Sequence, residues 1–192
     1  MEIVTAKKEN LSVVLNNLRE GKIIICPTDT VYGLLCDAAN EKAVGKIFEI
    51  KKRDKSKPLA VFVKDIKMAE RFASINESQK KFLKKNWPGA VTVILKAKKG
   101  LAKLTYKNNK IGLRVPDYGF LGLVLRDFGK PIAQTSANIS GKPAVVKIKE
   151  VFDQFKSIDV KPDLMIDEGD LPKNKPSKVM DLTEGKIKTL RK

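Results

Sequence analysis

Three segments of this 192-residue chain carry side chains able to hold a polyanion beside a small polar molecule. One is the basic tripeptide Lys51-Lys52-Arg53. The second is Pro27-Thr28-Asp29-Thr30-Val31-Tyr32-Gly33-Leu34, where Thr28, Thr30 and Tyr32 offer hydroxyls just after an apolar run. The third, Thr135-Ser136-Ala137-Asn138-Ile139-Ser140-Gly141, repeats that arrangement and adds the Asn138 amide. Lys51 and Arg53 can clamp a triphosphate and neutralise charge as it develops. Hydroxyls and an amide beside backbone N–H groups suit phosphate or magnesium-bridged oxygens. Each segment also has a plainer reading. A basic helix C-terminus complements the helix dipole, and Thr- and Ser-rich turns bond to their own backbone.

The elements that must position these residues are legible as apolar periodicity. Leu11, Val14, Leu15 and Leu18 form a helical stripe that stops at Gly21. Residues 22–26 read as a buried strand ended by Pro27. Ala43, Ile47, Phe48 and Ile50 mark a helix that runs into Lys51-x-Arg53. A strand over 58–63 precedes helices over 65–73 and 77–86, the latter capped by Asn76. Trp87-Pro88-Gly89 is a stop, with strands over 91–95 and 111–115 beyond it. A helix over 120–128 ends at Gly129. A strand over 131–134 then delivers Thr135 and Ser136 into a turn. A helix over 147–155 and strands over 164–166, 178–182 and 187–190 complete the pattern. Interleaved helices and strands predict an α/β (interleaved α+β) fold with a large mixed sheet flanked by helices. No linker divides the chain, so one domain over 1–192 is expected, with a loop-rich flap over 162–176.

Composition narrows the chemistry. Lys and Arg number 39 against 22 Asp and Glu, a net charge of +17, which favours anionic partners such as nucleotides or RNA. Lys supplies 33 of the 39 cations, and much of that excess is a solvated face. The six Arg are more telling, because a guanidinium forks around phosphate or carboxylate. Arg53, Arg114 and Arg191 fall in the segments that matter here. The chain has no histidine, which excludes a Ser-His-Asp triad and any imidazole base. Neither a P-loop nor a Gly-x-Gly-x-x-Gly fingerprint is present. Cys26 and Cys36 read as reduced thiols, and the N-terminus lacks an export signal. No apolar run is long enough to span a bilayer, so a cytoplasmic protein without membrane contact is expected.

Read in order, these segments resemble the YrdC-like family of threonylcarbamoyl-AMP synthases over nearly the whole chain. Pro27 to Leu34 resembles the opening motif, and Lys51-x-Arg53 with Lys57-Pro58-Leu59 the basic signature. Trp87-Pro88-Gly89-Ala90-Val91-Thr92 resembles a Trp-Pro-Gly-Pro-x-Thr motif, with Ala90 in place of the second Pro. Arg114-Val115-Pro116-Asp117 and the 135–141 segment fit directly; Pro176-Ser177 and Leu190-Arg191 match the closing elements. The resemblance implies an enzyme that joins L-threonine, bicarbonate or CO2, and ATP into threonylcarbamoyl-AMP and releases pyrophosphate. It implies Lys51 and Arg53 as catalytic residues, and Lys51, Arg53, Ser136, Asn138, Ser177 and Arg191 as nucleotide contacts. Thr30, Tyr32, Arg53 and Ser177 would shape the threonine side. No protein-held metal is implied; magnesium would arrive on the ATP phosphates. The chain resembles the short form of the family, without a C-terminal domain acting as lid. The product would pass to a threonylcarbamoyl transferase complex that modifies tRNA. Two alternatives stay open: an RNA-binding or ribosome-assembly module, and a carbamoyl-transfer paralogue of the same superfamily.

Overall fold

The computed structural model describes residues 1–174 and 176–191. Lys175, inside the expected flap, and Lys192, the last residue of the expected domain, lie outside the described residues. The chain starts with β1 (Glu2–Thr5), α1 (Leu11–Arg19), β2 (Ile24–Cys26), β3 (Gly33–Asp37) and α2 (Glu41–Lys51). It continues through β4 (Ala60–Phe62), α3 (Ile66–Phe72), β5 (Ala73–Ser74), α4 (Glu77–Asn86), β6 (Val91–Ala97), β7 (Tyr106–Lys107) and β8 (Lys110–Arg114). Last come α5 (Gly119–Phe128), β9 (Ile132–Ser136), α6 (Ile148–Phe155), β10 (Leu164–Asp167), β11 (Lys178–Asp181) and β12 (Lys188–Arg191). The strands form one twisted mixed sheet in the order β1-β10-β2-β3-β9-β4-β8-β6-β11-β12, with β5 beside β6 and β7 beside β8.

Side-chain alternation along the strands sorts the apolar residues into two cores, one on each face. Ile25, Leu34, Cys36, Val61, Ala133 and Met165 join one core, together with Val44, Ile47 and Phe48 of α2 and Val151 and Phe155 of α6. Their strand neighbours Ile24, Cys26, Leu35, Phe62, Ile132, Leu164 and Ile166 join the other, under α1 and α5. That second core covers only part of its face. Gln134 lies two residues on from Ile132, and Ala60 two before Phe62. In the strands beyond, Gly112 pairs with Ile94, and Thr92 with Val179. These residues share the face of α1 and α5, yet they border open space.

The expected class stands: an α/β fold with a large twisted mixed sheet flanked by helices. Several boundaries shift. β2 begins at Ile24, because the N–H of Lys22 still closes the helix end on Asn17 O and Ile23 N–H donates to Asp163 Oδ2 at 2.8 Å. β1 and β3 are strands the periodicity did not announce. Residues 33–37 are buried on both faces, so their pattern is continuous rather than alternating. β9 runs two residues beyond its expected end, and Thr135 and Ser136 are paired with Leu34 and Gly33 inside the sheet rather than free in a turn. The Asn76 cap of α4 is a full capping box with Gln79, and Gly129 closes α5 at φ 70°. Among the described residues no helix is long and apolar enough to cross a membrane.

Candidate active site

The uncovered half-face is the floor of a cavity of about 560 Å³, a size usual for small-molecule sites. Small side chains make the floor. A Cβ added at Gly112 would sit 3.5 Å from Thr92 Cγ2 and 3.7 Å from Ala60 Cβ, so its absence leaves open volume above the strands. Thr30 and Val31 border one side, from the loop between β2 and β3. Pro176 and Ser177 border another, where the chain enters β11.

Three guanidiniums reach this space. α2 ends on Lys52 in the left-handed region (φ 50°), and Arg53 N–H donates to Phe48 O at 2.9 Å. This reversal sends the Arg53 side chain to the cavity wall. Its Nε donates to Lys57 O at 2.8 Å and its Nη2 to Pro58 O at 3.3 Å, with the guanidinium 6.0 Å from the Phe48 ring centre. Arg191, beside Val179 across the hairpin, donates from Nε to Ser177 O at 2.8 Å and from Nη2 to Ser177 Oγ at 3.0 Å. That hydroxyl lies 3.0 Å from Thr92 Oγ1. Among the described residues neither Arg53 nor Arg191 has a carboxylate within 4 Å. Carbonyl oxygens orient both without cancelling their charge, although burial pulls both pKa values below the ordinary arginine level.

Arg114 is different. It is 2% exposed and pairs through Nη2 with Asp29 Oδ2. Its Nε donates to Gly89 O at 2.8 Å, its Nη1 lies 3.5 Å from Thr30 Oγ1, and it stands 5.7 Å from the Phe62 ring centre. Asp29 also accepts from Asp117 N–H at 3.2 Å, so one ion pair fixes the Thr30 loop to the end of β8. Lys110 and Asp181 add a rim pair at 3.0 Å.

The residues expected from sequence divide into two groups. Thr30, Arg53, Ser136, Ser177 and Arg191 all border the cavity. Tyr32, Lys51 and Asn138 do not. Tyr32 is fully buried; its hydroxyl donates to Gly169 O at 2.7 Å and accepts from Glu168 N–H at 3.1 Å. Burial above all pushes its pKa up to about 12. The Lys51 ammonium turns inward to Ser136 O, Asn138 O and Asn138 Oδ1. Burial first, then Arg53, draws its pKa down to about 7, against three oxygens that favour the charged form. Asn138 donates to Ile139 O at 3.0 Å and Lys142 O at 2.6 Å. Thr28 serves its own turn, donating to Val31 O at 2.7 Å. Thr92, Lys110, Gln134 and Arg114 line the cavity without having been singled out as contacts. The period-2 relation of Thr92 to Ile94 on β6 was the available signal.

Among the described residues no three His, Cys, Asp or Glu side chains gather to hold a metal ion. The donor set here is hydroxyl, amide and cation, which suits a metal carried in on phosphate oxygens rather than caged by protein.

A family model named Sua5_yciO_yrdC, described as "Telomere recombination", matches residues 16–192. The chain belongs to the Sua5/YciO/YrdC family. A Methanocaldococcus jannaschii relative is 38% identical over 186 residues, covering 96% of this chain and 86% of that one. The Bacillus subtilis threonylcarbamoyl-AMP synthase is 39% identical over 137 residues, covering 70% of this chain. P. abyssi Sua5, solved in complex with L-threonine, superposes with a TM-score of 0.90 at 31% identity over 99% of this chain. The chain spans 40% of the Bacillus family member and 56% of the Sua5 chain.

Proposed function

We propose that this protein is an L-threonylcarbamoyladenylate synthase. It joins L-threonine, bicarbonate or CO2, and ATP into threonylcarbamoyl-AMP and pyrophosphate. The observation that carries this reading is the pair Arg53 and Arg191. Both border one cavity, neither with a carboxylate within 4 Å among the described residues, and the hydroxyl-bearing Thr30, Ser136 and Ser177 border it too. Membership of a family that includes named synthases and a threonine-bound structure supports the choice of substrate.

In this reading the threonine amine adds to CO2 and loses a proton, giving a carbamate. A carbamate oxygen then attacks the α-phosphorus in line, the bond from that phosphorus to the β-phosphate oxygen breaks, and pyrophosphate leaves. Such a step needs alignment and charge neutralisation more than a resident proton-transfer base. A chain without histidine can supply both. Arg53, Ser136, Ser177 and Arg191 hold the nucleotide. Thr30, with Arg53 and Ser177, holds the threonine. Tyr32 acts from behind, through residues 168–169, and Lys51 and Asn138 act from behind Ser136. Magnesium enters as part of the magnesium–ATP substrate. Residues 1–192 work as one cytoplasmic YrdC-like unit, and the product feeds a transferase complex that modifies tRNA.

The test is pyrophosphate release from magnesium–ATP, with L-threonine and bicarbonate together or omitted singly. Release that needs both, and that Arg53→Ala or Arg191→Ala abolishes in folded protein, is expected. Release indifferent to threonine would overturn the reading. A second reading, direct binding of tRNA or other RNA, draws on the +17 charge. It predicts affinity that falls steeply with salt.

A further inference from the structure

Lys51 is a cation in the family's basic signature, yet its place in the fold is that of a core residue. Val44, Ile47 and Lys51 follow one another at i, i+3 and i+7 on α2 and are 0%, 0% and 2% exposed. Lys51 therefore continues the apolar stripe of the helix, whereas Arg53 lies past the helix end and turns outward. An ammonium has three N–H donors and no acceptor. Lys51 meets three oxygens: Ser136 O, Asn138 O and, at 3.2 Å, Asn138 Oδ1. Its own carbonyl accepts from Ser140 N–H at 2.9 Å. One residue thus binds the end of β9 and the turn after it at three points, residues 136, 138 and 140.

Asn138 completes the lock. Its Oδ1 also accepts from Ser136 Oγ at 2.6 Å, and its Nδ2 donates to Ile139 O and Lys142 O. Every polar atom of that side chain is engaged inside the turn. The last two residues of β9, Thr135 and Ser136, both border the cavity just before this turn.

We infer that Lys51 is a positioning residue: it fixes the 136–142 turn so that Ser136 meets the phosphates, and its ammonium touches no substrate atom. This rests on the synthase reading for the identity of the phosphates, but the lock itself is a property of the protein without ligand. A displacement of the Ser136 hydroxyl by about 1 Å can cost about 100-fold in rate. Two substitutions separate the lock from a direct phosphate contact. Lys51→Met removes the ammonium. Lys51→Arg keeps the charge, but a planar fork does not fit a closed slot shaped for a point charge.

The experiment combines amide hydrogen exchange on ligand-free protein with pyrophosphate release. The expected result is exchange over residues 136–142 faster by about ten-fold or more in Lys51→Met. kcat should fall by about 100-fold in both Lys51→Met and Lys51→Arg, with a smaller change in KM for ATP. Asn138→Ala should show the same exchange signature, and the double variant Lys51→Met/Asn138→Ala should lose no more rate than the worse single one. Where Lys51→Met does not fold, Asn138→Ala and Lys51→Arg carry the comparison. Unchanged exchange at 136–142, or turnover retained in Lys51→Arg, would overturn the inference and make Lys51 a phosphate ligand. A wild-type protein that releases no pyrophosphate sinks the synthase reading instead, and the exchange comparison still decides the lock.

Discussion

Arg114→Met tests whether one buried ion pair holds the Thr30 side of the cavity to the sheet. The Arg114 and Asp29 side chains are 2% and 11% exposed. Removing the guanidinium leaves the Asp29 carboxylate with a single donor among the described residues, Asp117 N–H, and leaves Gly89 O with the Val91 N–H alone. Its other oxygen, Oδ1, is buried and has no hydrogen-bond partner among the described residues, so nothing compensates there. Breaking a buried pair from one side costs about 3–5 kcal/mol. For a chain of this size each kcal/mol moves the melting temperature by about 2–4 °C, so a drop of about 6–20 °C is expected. The stranded charge accounts for part of that loss. Asp29→Asn/Arg114→Met should therefore be more stable than Arg114→Met alone, by about 1–3 kcal/mol. Thermal melting followed by circular dichroism reads all three variants. Arg126→Met is the control, because its partner is the adjacent Asp127 and the Arg126 side chain is 61% exposed; a change within about 0.5 kcal/mol is expected there. If Arg114→Met melts together with that control, or the double variant is no more stable than Arg114→Met, the pair does not fix the Thr30 loop.

Gly112→Val puts a β-branched side chain into a strand that tolerates it and aims the added methyls into the cavity. Melting temperature should hold within about 2 °C while KM for ATP rises by about ten-fold, an outcome read by calorimetric melting and pyrophosphate release; a large fall in melting temperature would refute the open floor. pH dependence follows from Lys51, whose pKa in the fold is lowered from 10.5 to about 7. The unfolded chain then holds the proton more tightly, so stability gains nothing from this group below pH 7 and rises between pH 7 and 10.5, by at most about 1.4 kcal/mol per unit. Urea unfolding across that window should show the rise in wild type and a flatter curve in Lys51→Met, and identical curves would refute the shift.

Much of the architecture was legible because it rests on periodicity and punctuation. The stripe of α1, the Asn76 cap and Gly129 after α5 are local signals, and each element stands where its signal lies. β3 escaped because Leu34, Leu35 and Cys36 are all buried, with alternate residues in opposite cores. No alternation survives in a strand covered on both faces. The site was legible as a set of segments but not as a set of contacts. Lys51 and Arg53 are two residues apart in one basic run, and charge alone gives them the same role. Helical phase separates them, since Lys51 is Val44 plus seven and Arg53 lies beyond the left-handed Lys52. Asn138 and Tyr32 failed as cavity residues for a related reason. A polar group next to a strand end can satisfy the turn as readily as a ligand, and only the hydrogen-bond partners decide.

Those partners also separate the roles of the three arginines. A guanidinium held by a carboxylate is oriented and neutralised together; one held by carbonyl oxygens is oriented and stays a full charge. Arg114 belongs to the first kind, through Asp29, and Arg53 and Arg191 to the second, through Lys57 O, Pro58 O and Ser177 O. A polyphosphate carries several negative charges and gains most where cations are uncancelled and partly withdrawn from water. On the proposed synthase reading, the triphosphate would lie between Arg53 and Arg191, above the Gly112 floor. On the same reading the smaller, zwitterionic threonine sits toward Thr30, where Arg114 is neutralised by Asp29, within reach of Arg53 and Ser177. With no histidine available, the protein divides its cations by what holds them, and on the proposed reading that division would set the direction in which a carbamate approaches the α-phosphorus.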